Sequence, residues 1–298
     1  RPPRSTQSRS SAASDVYKRQ ALARPSSSQV MAQADCIVAV GTELAEVDLW
    51  RNHMGHDCPL YRIDIDPECL GDEHHADVFI HAKAENALAG LLTSFVASSS
   101  DWQAAAVAHQ RDLWRVECEA ERPGIIVIAD ALRTAVPEDT MVYSDMTQFA
   151  YVANEVWPMA RPKHWHHPSG FGTLGYALPA AIGGATARPN QPTMAIAGDY
   201  GFQYSVQELG TAVELGQALP IILWDNGKLK EIEDSMRSAQ IEPNAVIAKN
   251  PDFVSLAKAY GAYTAAPINL TAMKQAVVEA FAADGPTLIY ITPDILAQ

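Results

Sequence analysis

Two apolar runs constrain this chain more than anything else in it. Thr193–Ala197 ends on Gly198-Asp199, and Ile221–Trp224 ends on Asp225-Asn226-Gly227. Between them Val206, Leu209, Val213 and Leu215 fall at roughly helical spacing. The order predicts strand, helix, strand, each strand delivering an oxygen-bearing side chain at its carboxyl end. Asp199 and Asn226 stand 27 residues apart, about one such unit. In a parallel α/β sheet ligands sit beyond the carboxyl ends of the strands, so folding would bring both residues to one crevice. A carboxylate, an amide oxygen and nearby backbone carbonyls make a hard-oxygen set that suits Mg²⁺, an ion that shares its shell with phosphate. The adjoining glycines let backbone N–H groups approach that phosphate.

The rest of the chain alternates in the same way. Ala34–Val40 and Leu60–Ile65 read as strands, His74–Phe79 as a short third strand, and Ala84–Ser98 as a helix with Leu88, Leu91, Leu92 and Phe95 at helical spacing. Ser98-Ser99-Ser100 breaks the pattern. Trp102–Glu121 then reads as a charged connecting helix ended by Arg122-Pro123-Gly124. Ile125–Val136 is a helix, Met141–Ser144 a strand, Phe253–Tyr260 and Leu270–Phe281 helices, and Thr287–Ile291 a last strand. The fold class is α/β: a doubly wound parallel-sheet cofactor-binding domain over 123–298, preceded by a partial Rossmann-like domain over 21–100 and a linker helix over 101–122.

Residues 1–20 do not match this. They carry five basic residues against Asp15 alone, in a chain whose formal net charge is −13. They read as a non-native or disordered tail and are set aside from the fold, a transit peptide being the alternative. The acidic remainder makes nucleic acid an unfavourable partner. No apolar run reaches the roughly 18 residues a membrane span needs. Cys36, Cys58, Cys69 and Cys118 have no metal-type spacing and read as idle thiols of a reducing, cytoplasmic compartment. His164, His166 and His167 invite a zinc reading. Adjacent residues of an extended segment point to opposite faces and no further partner sits at zinc spacing, so they read as surface or site-rim histidines, with His167 a candidate to face substrate.

These residues resemble a known family. Gly198–Gly227 is similar to the thiamine diphosphate motif, which opens GDG and closes NN about one βαβ unit later, and Ser169–Gly183 (SGFGTLGYALPAAIG) resembles the segment of the same enzymes that grips the aminopyrimidine ring. Ala34–Thr42 and Ile63–Pro67 are similar to the ADLVLAVGT and IDIDP signatures of the family's middle domain. The chain is thereby identified as a member of the acetolactate synthase and 2-oxo acid decarboxylase superfamily. The resemblance implies a thiamine diphosphate- and Mg²⁺-dependent lyase, in which the cofactor supplies a nucleophilic carbon and an electron sink. It implies side-chain metal ligands Asp199 and Asn226, with the backbone carbonyl of Lys228 as a third. It also implies phosphate contacts from backbone N–H groups of Gly198 to Phe202, that is around Asp199, Tyr200 and Gly201. Gly172, Thr173 and Leu174 would meet the pyrimidine, Leu174 as the apolar wedge that bends the cofactor; Leu178 and Ile182 read as plain core. Thr147, after the Met141–Ser144 strand, either meets the diphosphate or is an N-cap, as is Asp145. Some family members hold FAD in the middle domain, and the residues here leave that open.

Two positions depart from the motif. Tyr200 stands where GDG has its last glycine, a costly exchange by roughly 1–2 kcal/mol if the backbone there is left-handed. Asp225 replaces the first Asn of NN and adds negative charge near a diphosphate, to be offset by the metal, Lys228 or Lys230. The family's catalytic glutamate belongs to an earlier domain of the partner subunit, with no replacement visible here, so this polypeptide alone is expected not to turn over. The same resemblance implies a homo-dimer or homo-tetramer. WDNGKLKEIEDSM and NPDFVSLAKAYGA most resemble 5-guanidino-2-oxopentanoate decarboxylases, and Glu231, Glu233 or Asp234 would suit a cationic substrate tail, or form a solvated helix face. An acetolactate synthase-like carboligase and a non-catalytic cofactor-binding or assembly module are the alternatives.

Overall fold

The computed structural model describes residues 22–297 apart from Glu73, 97–101, Ala160, Phe171 and Ala248. The N-terminal tail, the Ser98-Ser99-Ser100 break and Phe171 therefore lie outside the described residues. The chain parts into two compact units between Ala120 and Glu121.

The first unit runs through α1 (Ser27–Met31), β1 (Ile37–Val40), α2 (Glu46–Leu49), β2 (Leu60–Asp64), β3 (Val78–His81), α3 (Ala84–Ser94) and nearly all of α4 (Ala104–Glu121). Its three strands pair in parallel in the order β1-β2-β3. Ala39, Leu44, Leu49, Met54 and Leu60 form its small core. The third strand starts later than the hydropathy pattern predicts. His74 is held in a loop by its ring against the Leu44 carbonyl at 2.8 Å, and the Asp77 carboxylate accepts the Leu60 N–H at 2.8 Å, so pairing begins at Val78. The leucines that mark α3 by spacing do not bury it: Leu88 and Leu92 are exposed, and no residue of α3 is buried.

The second unit begins with α5 (Ile125–Ala135), β4 (Met141–Ser144), α6 (Gln148–Val156), β5 (Trp165–His166) and α7 (Ala177–Ala187). It continues with β6 (Thr193–Gly198), α8 (Asp199–Tyr204), α9 (Glu208–Leu215), β7 (Leu219–Trp224), α10 (Lys230–Ser238), α11 (Phe253–Ala259), β8 (Tyr263–Ala265), α12 (Leu270–Phe281) and β9 (Pro286–Ile291). Six parallel strands lie in the order β5-β4-β6-β7-β9-β8. Every residue of β6 and β7 is buried. Central strands of a sheet covered on both faces must be apolar throughout, which is why these two read as unbroken runs. Leu178 and Ile182 of α7 pack with Leu209, Ile221, Leu223 and Phe253 in the main core, each such side chain contributing roughly 1.5–3 kcal/mol on burial.

The chain leaves β4 for β5 on one side and returns on the other as β6. Strand order reverses there, and the crevice at that switch point is where an open α/β sheet holds its ligand. Among the described residues no helix is long and apolar enough to cross a membrane.

Candidate functional site

A cleft of about 230 Å³ opens at the carboxyl ends of β4, β6 and β7. Met146, Thr147 and Gln148 line it after β4, Gly198, Asp199, Tyr200 and Gly201 after β6, and Asn226 and Lys228 after β7. Gly172 and Leu174 close it from the loop before α7, and Leu229, Glu231 and Ile232 from the start of α10. Two residues singled out by sequence lie elsewhere. The Thr173 side chain is exposed, and the Phe202 ring is wholly buried in the main core, edge-on to Phe253. Gly172 has φ +60°, a left-handed backbone that favours glycine.

The floor of the cleft is braced by Asp145. Its Oδ1 accepts the N–H groups of Tyr176 at 2.7 Å and Ala177 at 2.8 Å, and its Oδ2 that of Gly175 at 3.2 Å. A carboxylate thus caps α7 from a different strand, satisfying the free N–H groups of its first turn. Burial pushes the Asp145 carboxyl up from its ordinary range, and the three N–H donors work against that. Asp145 is a cap, but of α7 and not of its own helix. Thr147 occupies the N-cap position of α6 yet makes no capping bond. It packs against β6 instead: a Cβ built on Gly198 would stand 3.0 Å from its Oγ1.

Asp199 is buried at the tip of β6, and Asn250 Nδ2 donates to its Oδ2 at 2.6 Å. The same Nδ2 donates to Asp225 Oδ1 at 2.9 Å, which also accepts the Gly227 N–H at 2.9 Å. Tyr290 OH donates to Asp225 Oδ2 at 2.8 Å. Burial raises the Asp199 carboxyl well above its ordinary range; Asn250 opposes this and the nearby Asp225 charge adds to it. Burial and its Asp225 partner likewise raise the Tyr290 phenol. The offset expected for Asp225 from Lys228 or Lys230 is not the one found. Lys228 Nζ lies 3.1 Å from Glu233 and Lys230 pairs with Asp234. Asn250, Tyr290 and a backbone N–H satisfy the extra carboxylate with hydrogen bonds in their place.

Tyr200 carries no left-handed strain. It lies in the first turn of α8, a right-handed helix, and is not among the non-glycine residues of positive φ. The conditional penalty for replacing the motif's glycine therefore does not arise.

On the opposite wall, Asn226 Nδ2 donates to Gln148 Oε1 at 3.1 Å, and Asn226 Oδ1 accepts the Lys228 N–H at 3.3 Å. Gln148 Nε2 donates to Glu231 Oε1 at 2.9 Å. Arg122 holds Glu231 in a fork, Nε to Oε1 at 2.9 Å and Nη2 to Oε2 at 3.0 Å. Burial works to raise the Glu231 carboxyl, but Arg122 and Gln148 bring it below its usual value. The three acids noted for a cationic tail are all engaged: Glu231 by Arg122, Glu233 by Lys228 and Arg237, Asp234 by Lys230.

His167 is not at the rim. It is buried, with Nδ1 2.9 Å from Ser144 Oγ and its ring edge-on to Tyr151, and burial drops its pKa to about 4. His166 stacks on Tyr143 with ring centres 4.8 Å apart. Among the described residues no cluster of three or more His, Cys, Asp or Glu could hold a metal. The oxygen set in the cleft is of another kind. A buried carboxylate on Asp199 and an amide oxygen on Asn226, lining one cleft with Lys228, have the hardness and the mixed charge that Mg²⁺ takes from a protein while keeping room for phosphate oxygens. Sequence reasoning passed over Asn250, Tyr290, Arg122 and the bonding role of Gln148. Gln148 directly follows Thr147, which the sequence singles out, whereas Asn250 lies 51 residues from its partner Asp199 with no periodic signal to link them.

A parallel sheet with an oxygen-lined cleft at its switch point defines a cofactor-binding α/β domain. Residues 145–291 match the thiamine pyrophosphate enzyme, C-terminal TPP binding domain, and this domain of the chain belongs to that family. It is 38% identical over 266 residues to the probable 2-ketoarginine decarboxylase AruI of Pseudomonas aeruginosa, an alignment covering 88% of this chain and 47% of that protein. It is 28% identical over 268 residues to the acetolactate synthase isozyme 2 large subunit of Escherichia coli, covering 89% and 48%. The chain spans about half the length of the curated relatives it matches. The benzoylformate decarboxylase structure from Polynucleobacter necessarius superposes with a TM-score of 0.70 at 18% identity, over 89% of this chain and 50% of that one, a likeness of fold.

Proposed function

We propose that this chain carries the cofactor-binding half of a thiamine diphosphate- and Mg²⁺-dependent 2-oxo acid decarboxylase. The observation that carries the reading is the placing of Asp199 and Asn226 at the ends of adjacent strands in one cleft. Asp199, Asn226 and the Lys228 carbonyl would hold Mg²⁺. Thr147, Gly198 and the N–H groups around Tyr200 and Gly201 would hold the diphosphate, and the backbone of Gly172 and Leu174 the pyrimidine. When bound, the cofactor supplies the carbon that adds to the 2-oxo group and the sink for the electrons left by CO₂. The chain's part is to grip, orient and exclude water. Its cleft carboxylates are already engaged, Glu231 by Arg122 and Gln148 and Asp199 by Asn250. The family resemblance implies a further proton-transferring carboxylate, contributed by the partner subunit of a homo-dimer or homo-tetramer, so this chain alone is expected not to turn over.

The likeness to a protein named for 2-ketoarginine supports 5-guanidino-2-oxopentanoate as substrate. One observation favours a second reading, an acetolactate synthase-like carboligase: the three acids that the sequence offers for a guanidinium are each paired with a cation of the chain itself. Cys36, Cys58, Cys69 and Cys118 form no disulfide, which supports a reducing, cytoplasmic setting.

Calorimetric titration of the chain with thiamine diphosphate, with and without Mg²⁺, tests the first reading. Saturable, Mg²⁺-dependent uptake is expected, and its loss in Asn226→Ala. No uptake at any Mg²⁺ concentration would overturn it. Release of an aldehyde from the 2-oxo acid, in place of an acetohydroxy acid, decides between decarboxylase and carboligase.

A further inference from the structure

Asn226 has two chemically different ends, and only its oxygen can ligate a cation. Something must therefore set which end faces the cleft. A relay of three other side chains does so. Arg122 is donor-only, and its fork occupies both oxygens of Glu231 at 2.9 and 3.0 Å, leaving that carboxylate fixed and acceptor-only. Gln148 meets Glu231 at 2.9 Å, so the end of its amide that faces the carboxylate must be the NH₂ group. Its other end is then an oxygen, and it faces Asn226 at 3.1 Å. Asn226 must answer with its own NH₂. The Asn226 oxygen is left on the other side, where it accepts the Lys228 N–H at 3.3 Å and keeps a second lone pair. The polarity of one ion pair is thus passed through two amides. The Arg122 side chain is 10% exposed and its guanidinium stands 5.6 Å over the Tyr151 ring, so water does not readily replace it.

We propose that Gln148 is a positioning residue that fixes the Asn226 amide with its oxygen toward the cleft, taking its own orientation from the Arg122–Glu231 pair. The inference deepens the Mg²⁺ reading above and rests on it. Such outer partners of a metal ligand typically change affinity by about 10–100-fold when lost.

The test uses the symmetry of a carboxylate. Aspartate presents an oxygen whichever way it turns, so it needs no orienting partner. Mg²⁺-dependent uptake of thiamine diphosphate is measured by calorimetry on the full chain, with far-UV circular dichroism to check the fold. Gln148→Met keeps the length of the side chain and removes both of its hydrogen bonds. It is expected to raise the half-saturating Mg²⁺ concentration about 10-fold in the Asn226 background, and to change it less than about 2-fold in an Asn226→Asp background. A merely structural role would cost both backgrounds alike. Equal shifts in the two backgrounds, or none in the first, overturn the inference while leaving the Mg²⁺ reading intact. Absence of uptake by the unaltered chain overturns both. Should Gln148→Met not fold, Arg122→Met in the same two backgrounds gives the same comparison, with the same pattern expected and the same pattern fatal.

Discussion

Asp145 and Gly201 lie closer than any side chain on the glycine would allow: a Cβ there would stand 2.3 Å from Asp145 Oδ2. That oxygen cannot retreat freely, because the same carboxylate caps α7 through Gly175, Tyr176 and Ala177. The contact thus ties the end of β4, the start of α7 and the first turn of α8 at the base of the cleft. Gly201→Ala is expected to destabilise the chain by about 2–3 kcal/mol, from overpacking and from strained bonds to a buried carboxylate. Urea unfolding followed by tryptophan fluorescence measures it. A loss under about 0.5 kcal/mol would mean that Asp145 moves aside at no cost.

Tyr200 gives a prediction of opposite sense to the one its motif suggests. Restoring the glycine would relieve strain only if the residue were left-handed. It is in a right-handed helical turn. Tyr200→Gly is therefore expected to lower stability by about 0.5–1 kcal/mol, the cost of the extra backbone freedom. A rise in the midpoint of thermal unfolding would contradict the helical conformation.

These two positions mark how far the sequence could be read. β6 and β7 were legible because strands covered on both faces are apolar throughout. Asp199 and Asn226 were legible because one crossover separates them. β5 and β8, of two and three residues, were not, since a neighbouring strand and not their own pattern makes them. Leu174, Leu178 and Ile182 share a helical period, yet the helix starts only at Ala177. Its start is set by Asp145, more than thirty residues upstream of Ala177, which no local signal reveals. The partners of Asp225 were missed for the same reason: Asn250 and Tyr290 come from 25 and 65 residues away.

Asp225 itself is held as an acceptor by three donors, Asn250, Tyr290 and the Gly227 N–H. Asp225→Asn restores the motif's asparagine but turns one acceptor into a donor. The amide can keep its oxygen toward Asn250 and the Gly227 N–H and turn its NH₂ group to Tyr290, whose hydroxyl rotates to accept from it. Charge-assisted bonds then become neutral ones, and a loss of about 1 kcal/mol is expected in urea unfolding. Asp225→Asn with Tyr290→Phe should lose more, because the buried NH₂ group is then left without an acceptor. Equal or greater stability in the single variant would show that the three bonds contribute nothing.

His167 supplies a pH dependence with a definite sign. Burial against Ser144 and Tyr151 drops its pKa to about 4 from an ordinary value of 6.5. Between those values the unfolded chain binds a proton at His167 and the folded chain does not. Stability therefore rises with pH across that window; its full contribution is present above about pH 6.5 and is lost as pH falls toward 4. The shift corresponds to on the order of 3 kcal/mol. Unfolding free energies of the unaltered chain and of His167→Gln, which keeps a polar partner for Ser144 but does not titrate, should diverge below pH 6. The unaltered chain should show the steeper decline. Parallel pH profiles for the two would mean that His167 takes up a proton as readily in the folded chain as in the unfolded one, and so is not packed as a neutral ring behind the cleft.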